Sequence, residues 1–189
     1  MKQWLFNPFM YMAGTKALVI GWCIMLASAV ICFFTKTHFD GIIDVHSGLS
    51  SATHIYFLEA LIDWALPVIL FYIAGLIFSA SAIRLIDVAG TFALARWVMI
   101  IPAIIGIGVS DHVPPPNATI DEVLKFITPA VIIVGLLTVL IAIWMIALMY
   151  NAFRVSCNLK GGKATGIFIV TLLIAEILSN YIIHHFVIV

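Results

Sequence analysis

The hydropathy pattern of the chain contains five long apolar runs, separated by short polar turns. The runs cover residues 17–34, 56–80, 87–109, 128–150 and 166–188. Crossing the hydrocarbon takes about 20 apolar residues, since each residue adds about 1.5 Å along a helix. Unpaired backbone groups are costly in lipid, so each run is expected to be helical. The pattern therefore predicts an all-α, polytopic membrane protein with five transmembrane helices.

The third run is interrupted by a charged residue, Arg96, and Pro102 removes a backbone donor within it. If Arg96 marked a boundary, the remainder would be too short to span comfortably. We therefore predict one helix over residues 87–109. Its Arg96 is expected to pair with a carboxylate or to snorkel toward the near interface, rather than to act in catalysis.

The basic residues are unequally divided between the two ends of the predicted helices. One end carries Lys2, Lys16, Arg84, Arg154, Lys160 and Lys163, whereas the other carries Lys36 and Lys125. By the positive-inside rule, the amino terminus is predicted to be cytoplasmic and the carboxyl terminus outside.

Composition agrees with a single membrane domain over residues 1–189. The chain is 64% apolar and 10% charged, and its nine basic residues balance nine acidic ones. Without excess positive charge, nucleic acid is not an expected partner. The expected partners are the lipid bilayer and either further copies of this chain or other membrane proteins. The three cysteines are scattered and indicate no disulfide framework.

Ionisable residues inside the apolar runs are costly and therefore informative. Glu59 and Asp63 lie four residues apart, on one face of the second helix. Glu176, Asn180 and His184 repeat that spacing on the fifth helix. Because these helices run in opposite directions, Glu59 is predicted at the depth of His184, and Asp63 at the depth of Asn180. The two polar faces are expected to meet.

Pro67 adds to this predicted pocket, because its missing amide leaves the carbonyl of Asp63 without its helical partner. Two carboxylates at low dielectric repel each other, so either a cation compensates them or one is protonated. Within the apolar runs, Arg96 is the available cation.

All six histidines lie at or beyond the predicted outer helix ends: His38, His46, His54, His112, His184 and His185. The loop over residues 38–46 has the arrangement H-x-D-x3-D-x-H, and the pair Asp111 and His112 arrives from another helix. Imidazole and carboxylate groups suit zinc or a related divalent ion. The predicted metal ligands are His38, Asp40, Asp44, His46, Glu59, Asp63 and His184.

Simpler interpretations stay open. The loop residues would then cap turns, and the intramembrane residues would form a hydrogen-bonded packing network. If the site is hydrolytic, Glu59 or Asp63 is the candidate general base, although metal binding alone is the first expectation. A serine nucleophile among Ser47, Ser50 and Ser51 ranks third, because no nucleophile-elbow motif accompanies them.

Three short motifs carry a resemblance to a known family. They are Leu5-Phe6-Asn7-Pro8-Phe9, Ala93-Leu94-Ala95-Arg96-Trp97 and Tyr150-Asn151-Ala152-Phe153-Arg154-Val155. With the helix order, they resemble bacterial members of the YIP family, named for Rab-GTPase-interacting proteins. The chain lacks the Asp-Leu-Tyr-Gly-Pro type motif of eukaryotic relatives, so the resemblance does not extend to Rab binding.

The resemblance implies a non-enzymatic role in membrane organisation or interaction, in a bacterial inner membrane. It assigns no catalytic or cofactor-binding residues. The alternative, which rests on the chemistry of the predicted ligands and not on the resemblance, is a zinc-like divalent-metal site in the outer leaflet. Such a site would serve an intramembrane hydrolase or a cation carrier.

Overall fold

The computed structural model describes residues 2–48, 51–109, 114 and 118–187. Its α-helices are α1 (Lys2–Phe6), α2 (Gly14–Thr35), α3 (Thr53–Phe78), α4 (Leu85–Ala95), α5 (Ile100–Ile105), α6 (Ile120–Phe126), α7 (Pro129–Ser156) and α8 (Gly161–Phe186). Short 3-10 turns cover Pro8–Met10, Arg96–Met99 and Gly106–Gly108. Two short strands, β1 (Thr37–His38) and β2 (His46–Ser47), pair antiparallel between α2 and α3.

The predicted helices are confirmed, with ends that differ by a few residues. Among the described residues, five helical segments are long and apolar enough to cross a membrane: Gly14–Thr35, Thr53–Phe78, Leu85–Gly108, Pro129–Ser156 and Gly161–Phe186. The chain is 80% helical, which confirms the all-α class apart from the one short strand pair.

The third span, Leu85–Gly108, lies at the centre of the bundle. The helices α2, α3 and α7 pack against it, and 72% of its most apolar window is buried, against 17% for α7. The outer faces of the surrounding helices expose large apolar side chains, such as Ile133, Leu136 and Leu140 on α7. This is the distribution expected when lipid, not water, covers the outside of the bundle.

The third span is helical throughout but is not one continuous α-helix. The α-helical pattern tightens to 3-10 geometry over Arg96–Met99 and resumes as α5. Pro102 explains the change, because it cannot donate the amide hydrogen bond that an α-helix would direct to Val98.

Small residues allow α2 and α4 to cross closely. A Cβ atom at Gly21 would overlap the backbone of Ala93 and Leu94, and one at Gly90 would overlap the Gly14 carbonyl. In lipid, the hydrophobic effect contributes little to the association of helices. Close contact between the two backbones then stabilises the pair through van der Waals packing.

The strand pair sets the positions of the loop histidines. Lys36 ends α2 in the left-handed conformation, with φ of 55°, and turns the chain into β1. His38 then lies directly opposite His46 in the register, so the two rings share one face and stack with centroids 5.7 Å apart.

Substitution of Gly21 tests the close crossing, and Gly135 supplies a matched control. Each Gly→Ala change raises helix propensity, but only Gly21→Ala places a methyl group against a neighbouring backbone. We expect Gly21→Ala to lower the free energy of unfolding by about 1 to 3 kcal/mol. Gly135→Ala, which meets nothing within 4 Å, should leave it unchanged or raised. Denaturation in detergent measures both, and equal stability of the two variants would contradict the close packing.

Candidate metal centre

Asp40 is the central residue of the loop between β1 and β2. It is only 2% exposed, yet one carboxylate contacts imidazoles from two separate elements. Its Oδ1 lies 3.0 Å from Nδ1 of His46 on β2, and its Oδ2 lies 3.1 Å from Nε2 of His184 in the last turn of α8. Asp40 therefore joins the loop to the end of α8.

Asp44 completes a cluster of potential ligands. One ligand atom from each of Asp40, Asp44 and His46 lies within 4.8 Å of the others. Although Oδ1 of Asp40 is at ion-pair distance from His46, it is buried without a hydrogen bond of good geometry in the described part of the chain. A buried carboxylate oxygen without a well-aligned donor, among imidazoles and a second carboxylate, suits a cation.

Electrostatics keep the Asp40 carboxylate charged. Burial raises its pKa, but contact with His46 and the positive charges of His46 and His184 bring the pKa of Asp40 below its usual range. The contact with Asp40 raises the pKa of His46, despite the opposing effect of burial. Asp40 thus stays ionised, as a metal ligand must be, whereas His46 must lose its proton before it can bind an ion.

His38 and Glu59 form a separate pair behind this cluster. The carboxylate of Glu59 accepts from Nδ1 of His38 at 2.8 Å and from the backbone amide of Phe39 at 3.2 Å, and both side chains are buried. The His38 ring stacks on Tyr56 with centroids 4.6 Å apart. Both oxygens of Glu59 are therefore engaged in holding β1 and the residue after it.

Asp63 lies deeper and pairs with the buried arginine. Arg96 donates to Oδ2 of Asp63 at 3.0 Å, and the hydroxyl of Ser179 on α8 donates to Oδ1 at 2.7 Å. The guanidinium also donates to the Asp63 carbonyl at 3.3 Å. That carbonyl is the acceptor predicted from Pro67, so the prediction of an extra acceptor is confirmed, as is the pairing of Arg96 with a carboxylate.

Charged side chains of the helices, two of them buried and one half-buried, also hold the backbone of the loop. Arg96 donates to the carbonyl of Ile42 at 3.2 Å, and Glu176 accepts from the amide of Ile43 at 2.9 Å. Together with Glu59, which accepts from the amide of Phe39, they connect three spans to the segment that carries Asp40 and Asp44.

The sequence-predicted ligands therefore divide into groups. Asp40, Asp44 and His46 come together in one cluster, and His184 contacts the other oxygen of the Asp40 carboxylate from α8. His38, Glu59 and Asp63 have the separate partners described above. The predicted meeting of the second and fifth helices is confirmed, but the residue that contacts Asp63 is Ser179, next to the expected Asn180. Ser179 lies three positions after Glu176, so the two residues are on the same side of α8.

Sequence reasoning missed Ser179 and the loop-holding role of Glu176. The i, i+3 spacing of these two residues was available as a signal for Ser179. No local pattern indicates which backbone amide Glu176 accepts from. Asp111, His112 and Ser50 lie outside the described residues.

One contact between a serine and a histidine bears on the alternative of a serine nucleophile. Ser51 Oγ lies 3.5 Å from Nε2 of His38, whose other ring nitrogen contacts Glu59. The connectivity resembles that of a catalytic triad, but 3.5 Å is long for activation of a hydroxyl by a base. The contact gives no reason to prefer a serine nucleophile over the predicted metal site.

An apolar cavity of about 420 Å³ lies beside the cluster. It is bounded by the strand pair, the third span and α7, with His46 and Thr37 on its wall. His46 therefore borders both the carboxylate cluster and an apolar space.

Comparisons of the chain with protein-family models, with curated proteins and with solved structures found no match.

The buried pair between Asp63 and Arg96 can be tested by removing its cation. We expect Arg96→Met to lower the free energy of unfolding by about 3 to 5 kcal/mol, because it leaves Asp63 buried without its counter-charge. Arg84→Met is the matched control, since Arg84 forms an exposed contact of 3.8 Å with Asp87. It should cost about 0 to 1 kcal/mol.

Denaturation in detergent measures both effects. Adding Asp63→Asn to Arg96→Met should recover part of the loss, because it removes the uncompensated charge. Equal destabilisation by Arg84→Met and Arg96→Met would contradict the assigned importance of the buried pair.

Proposed function

We propose that this chain is an integral membrane protein that binds a zinc-like divalent cation at its outer face. The ligands would be Asp40, Asp44, His46 and His184. The proposal rests on one observation: the almost fully buried Asp40 carboxylate contacts imidazoles of two elements and keeps an oxygen without a well-aligned donor.

The distances fit the coordination that zinc prefers. Zinc binds nitrogen and oxygen ligands at about 2.0 to 2.2 Å, which places tetrahedral ligand atoms about 3.4 Å apart. The separations of 3.0 Å and 3.1 Å between Asp40 and the two imidazoles are close to this value, and ligand atoms of Asp40, Asp44 and His46 lie within 4.8 Å of one another. For all four residues to bind one ion, His184 and Asp44 would have to approach it from opposite sides of the Asp40 carboxylate.

The donor types favour zinc over magnesium or calcium. Two imidazoles and two carboxylates form a mixed nitrogen and oxygen set, whereas the hard alkaline-earth ions prefer oxygen alone. The side chains of His46 and His184 are each 46% exposed, so an ion has access from the loop side.

Surrounding hydrogen bonds support the ligands. Glu59, Arg96 and Glu176 each bond to the backbone between Phe39 and Ile43. Such outer contacts fix the orientation of ligating groups in metal sites.

Binding, without hydrolysis, is the form of the proposal that the geometry favours. Both oxygens of Glu59 and both oxygens of Asp63 accept hydrogen bonds from other groups. Both carboxylates are thus held by other partners and lie outside the Asp40, Asp44 and His46 group, whereas a general base must reach the metal-bound water.

A non-enzymatic role in membrane organisation is the second candidate, and it is compatible with metal binding. Its support is that the Leu5–Phe9 and Tyr150–Val155 motifs, which carry the YIP resemblance, meet in space. Trp144 and Asn151 on α7 donate to the carbonyls of Leu5 and Phe6 at 2.9 Å. Self-association or contact with other membrane proteins, in a bacterial inner membrane, belongs to this candidate.

Metal binding can be measured by titrating zinc into the detergent-purified, chelator-treated protein. We expect about one equivalent to bind, and Asp40→Asn or His184→Gln to weaken binding at least about tenfold. His185→Gln is the matched control, because the adjacent His185 bonds to the Tyr181 carbonyl and stacks on its ring. It should bind zinc as the unmutated protein does.

Two results would exclude the metal site. One is the absence of bound zinc in the unmutated protein, checked by elemental analysis. The other is equal loss of affinity in the His184→Gln and His185→Gln variants, which would indicate nonspecific binding by exposed imidazoles.

The proposed orientation can be tested with single cysteines. Cys23 is exposed and is first replaced by alanine, whereas Cys32 and Cys157 are buried. Burial raises the pKa of Cys157 to about 11, so its thiol reacts slowly. In intact cells, a membrane-impermeant maleimide should label His46→Cys, and it should label Lys160→Cys only after permeabilisation. Labelling of both from the outside would overturn the orientation.

A further inference from the structure

Two segments far apart in sequence meet at the end of the bundle opposite the metal cluster. The turn after α1 packs on the carboxyl-terminal part of α7, where Asn151 donates to the Phe6 carbonyl at 2.9 Å. The indole of Trp144 donates to the Leu5 carbonyl at the same distance. These bonds bring Asn7 next to the loop between α7 and α8.

The junction encloses a cavity of about 300 Å³. It is lined by Asn7, Met10, Asn151, Arg154, Val155, Asn158, Leu159 and Lys160. These residues include two cations and three amides, and no carboxylate. The chemistry of the wall therefore favours an anion.

Two polar atoms of this wall are buried without a partner in the described part of the chain: Nε of Arg154 and Oδ1 of Asn7. A buried polar atom without a hydrogen bond costs free energy unless a ligand or water satisfies it. The amide of Asn7 can turn either its oxygen or its nitrogen toward the cavity, so it can donate to an anion.

The other polar residues of the junction are already engaged. Asn151 bonds to the carbonyls of Phe6 and Ala147, and Asn158 donates to the Ser81 hydroxyl at 2.8 Å. Lys163 donates to the Phe78 carbonyl. Arg154, Lys160 and Asn7 are thus the groups with which a ligand would interact, and the Arg154 guanidinium is steadied over the Tyr150 ring.

The start of α8 adds positive potential. Lys160 immediately precedes the helix, and the first turn contains no acidic residue. Amide groups at a helix start carry partial positive charge, which favours a nearby anion. A Cβ at Gly161 or Gly162 would meet nothing within 4 Å, so this side of the junction is open.

We infer that this cavity binds a phosphate group, held by Arg154, Lys160 and Asn7. The planar guanidinium offers paired donors that match phosphate oxygens, and the lysine adds a second positive charge. The phosphate belongs either to an anionic phospholipid headgroup or to a free phosphate ion. This site is separate from the proposed metal cluster and does not depend on it.

Two probes distinguish the sources, each used on the full-length purified protein. Inorganic phosphate, compared with chloride at equal ionic strength, is tested by thermal denaturation in detergent. Phosphatidylglycerol is tested by counting the lipids that the protein retains, by native mass spectrometry, from phosphatidylcholine bilayers that contain it. Stabilisation by inorganic phosphate supports a free-ion site, whereas retention of phosphatidylglycerol alone supports a headgroup site.

The variants test whether the cavity is the site. We expect Arg154→Gln to weaken binding of the effective probe about tenfold, since it removes a charge-assisted contact. Lys160→Gln should weaken it less, because Lys160 is exposed, and Asn7→Asp should abolish binding by adding a negative charge. Arg84→Gln is the control, since it removes a positive charge from the same end but outside the cavity.

Three results would overturn the inference. The first is that the unmutated protein responds to neither probe. The second is that Arg84→Gln weakens binding as much as Arg154→Gln, which would reduce the effect to general surface charge. The third is that Asn7→Asp and Lys160→Gln both bind normally. This last result decides the matter even if Arg154→Gln does not fold.

Discussion

The loop between α2 and α3 depends on hydrogen bonds between its backbone and charged side chains of the surrounding helices. Glu59 accepts from Phe39, Arg96 donates to Ile42 and Glu176 accepts from Ile43. These three side chains come from three different spans. A loop that dips among helices carries amides and carbonyls that lipid cannot satisfy, so polar side chains must meet them.

This constraint explains why charged residues occupy apolar helices. Replacing a buried ion pair by apolar residues is often neutral or stabilising, so stability alone is a weak reason for keeping Asp63 and Arg96. Here the guanidinium connects the Asp63 carboxylate, the carbonyl of the same residue and the Ile42 carbonyl. The pair of Asp63 and Arg96 therefore fixes the position and orientation of the loop relative to α3.

Sequence patterns predicted the helices well because the cost of exposing the backbone to lipid acts on each helix by itself. The free carbonyl of Asp63, one helical turn before Pro67, was predictable because it too depends only on the local sequence. The partner of Asp63 was not: neighbouring residues on a helix differ in direction by about 100°, so Ser179 and Asn180 face different surroundings. The division of the predicted ligands into a cluster and separate pairs depends on the strand register, which no hydropathy pattern contains.

The close crossing of α2 and α4 links helix packing to the loop. Gly21 lets the backbone of Ala93 and Leu94 approach α2, only a few residues before Arg96. The third span is thereby drawn to the centre of the bundle, where Arg96 is 4% exposed and reaches both α3 and the loop. A larger residue at the crossing would move the third span outward, and the guanidinium could then no longer span the two. Gly21, although it has no functional side chain, thus helps to determine the position of Arg96. Through the hydrogen bond from Arg96 to the loop, it also affects the position of Asp40.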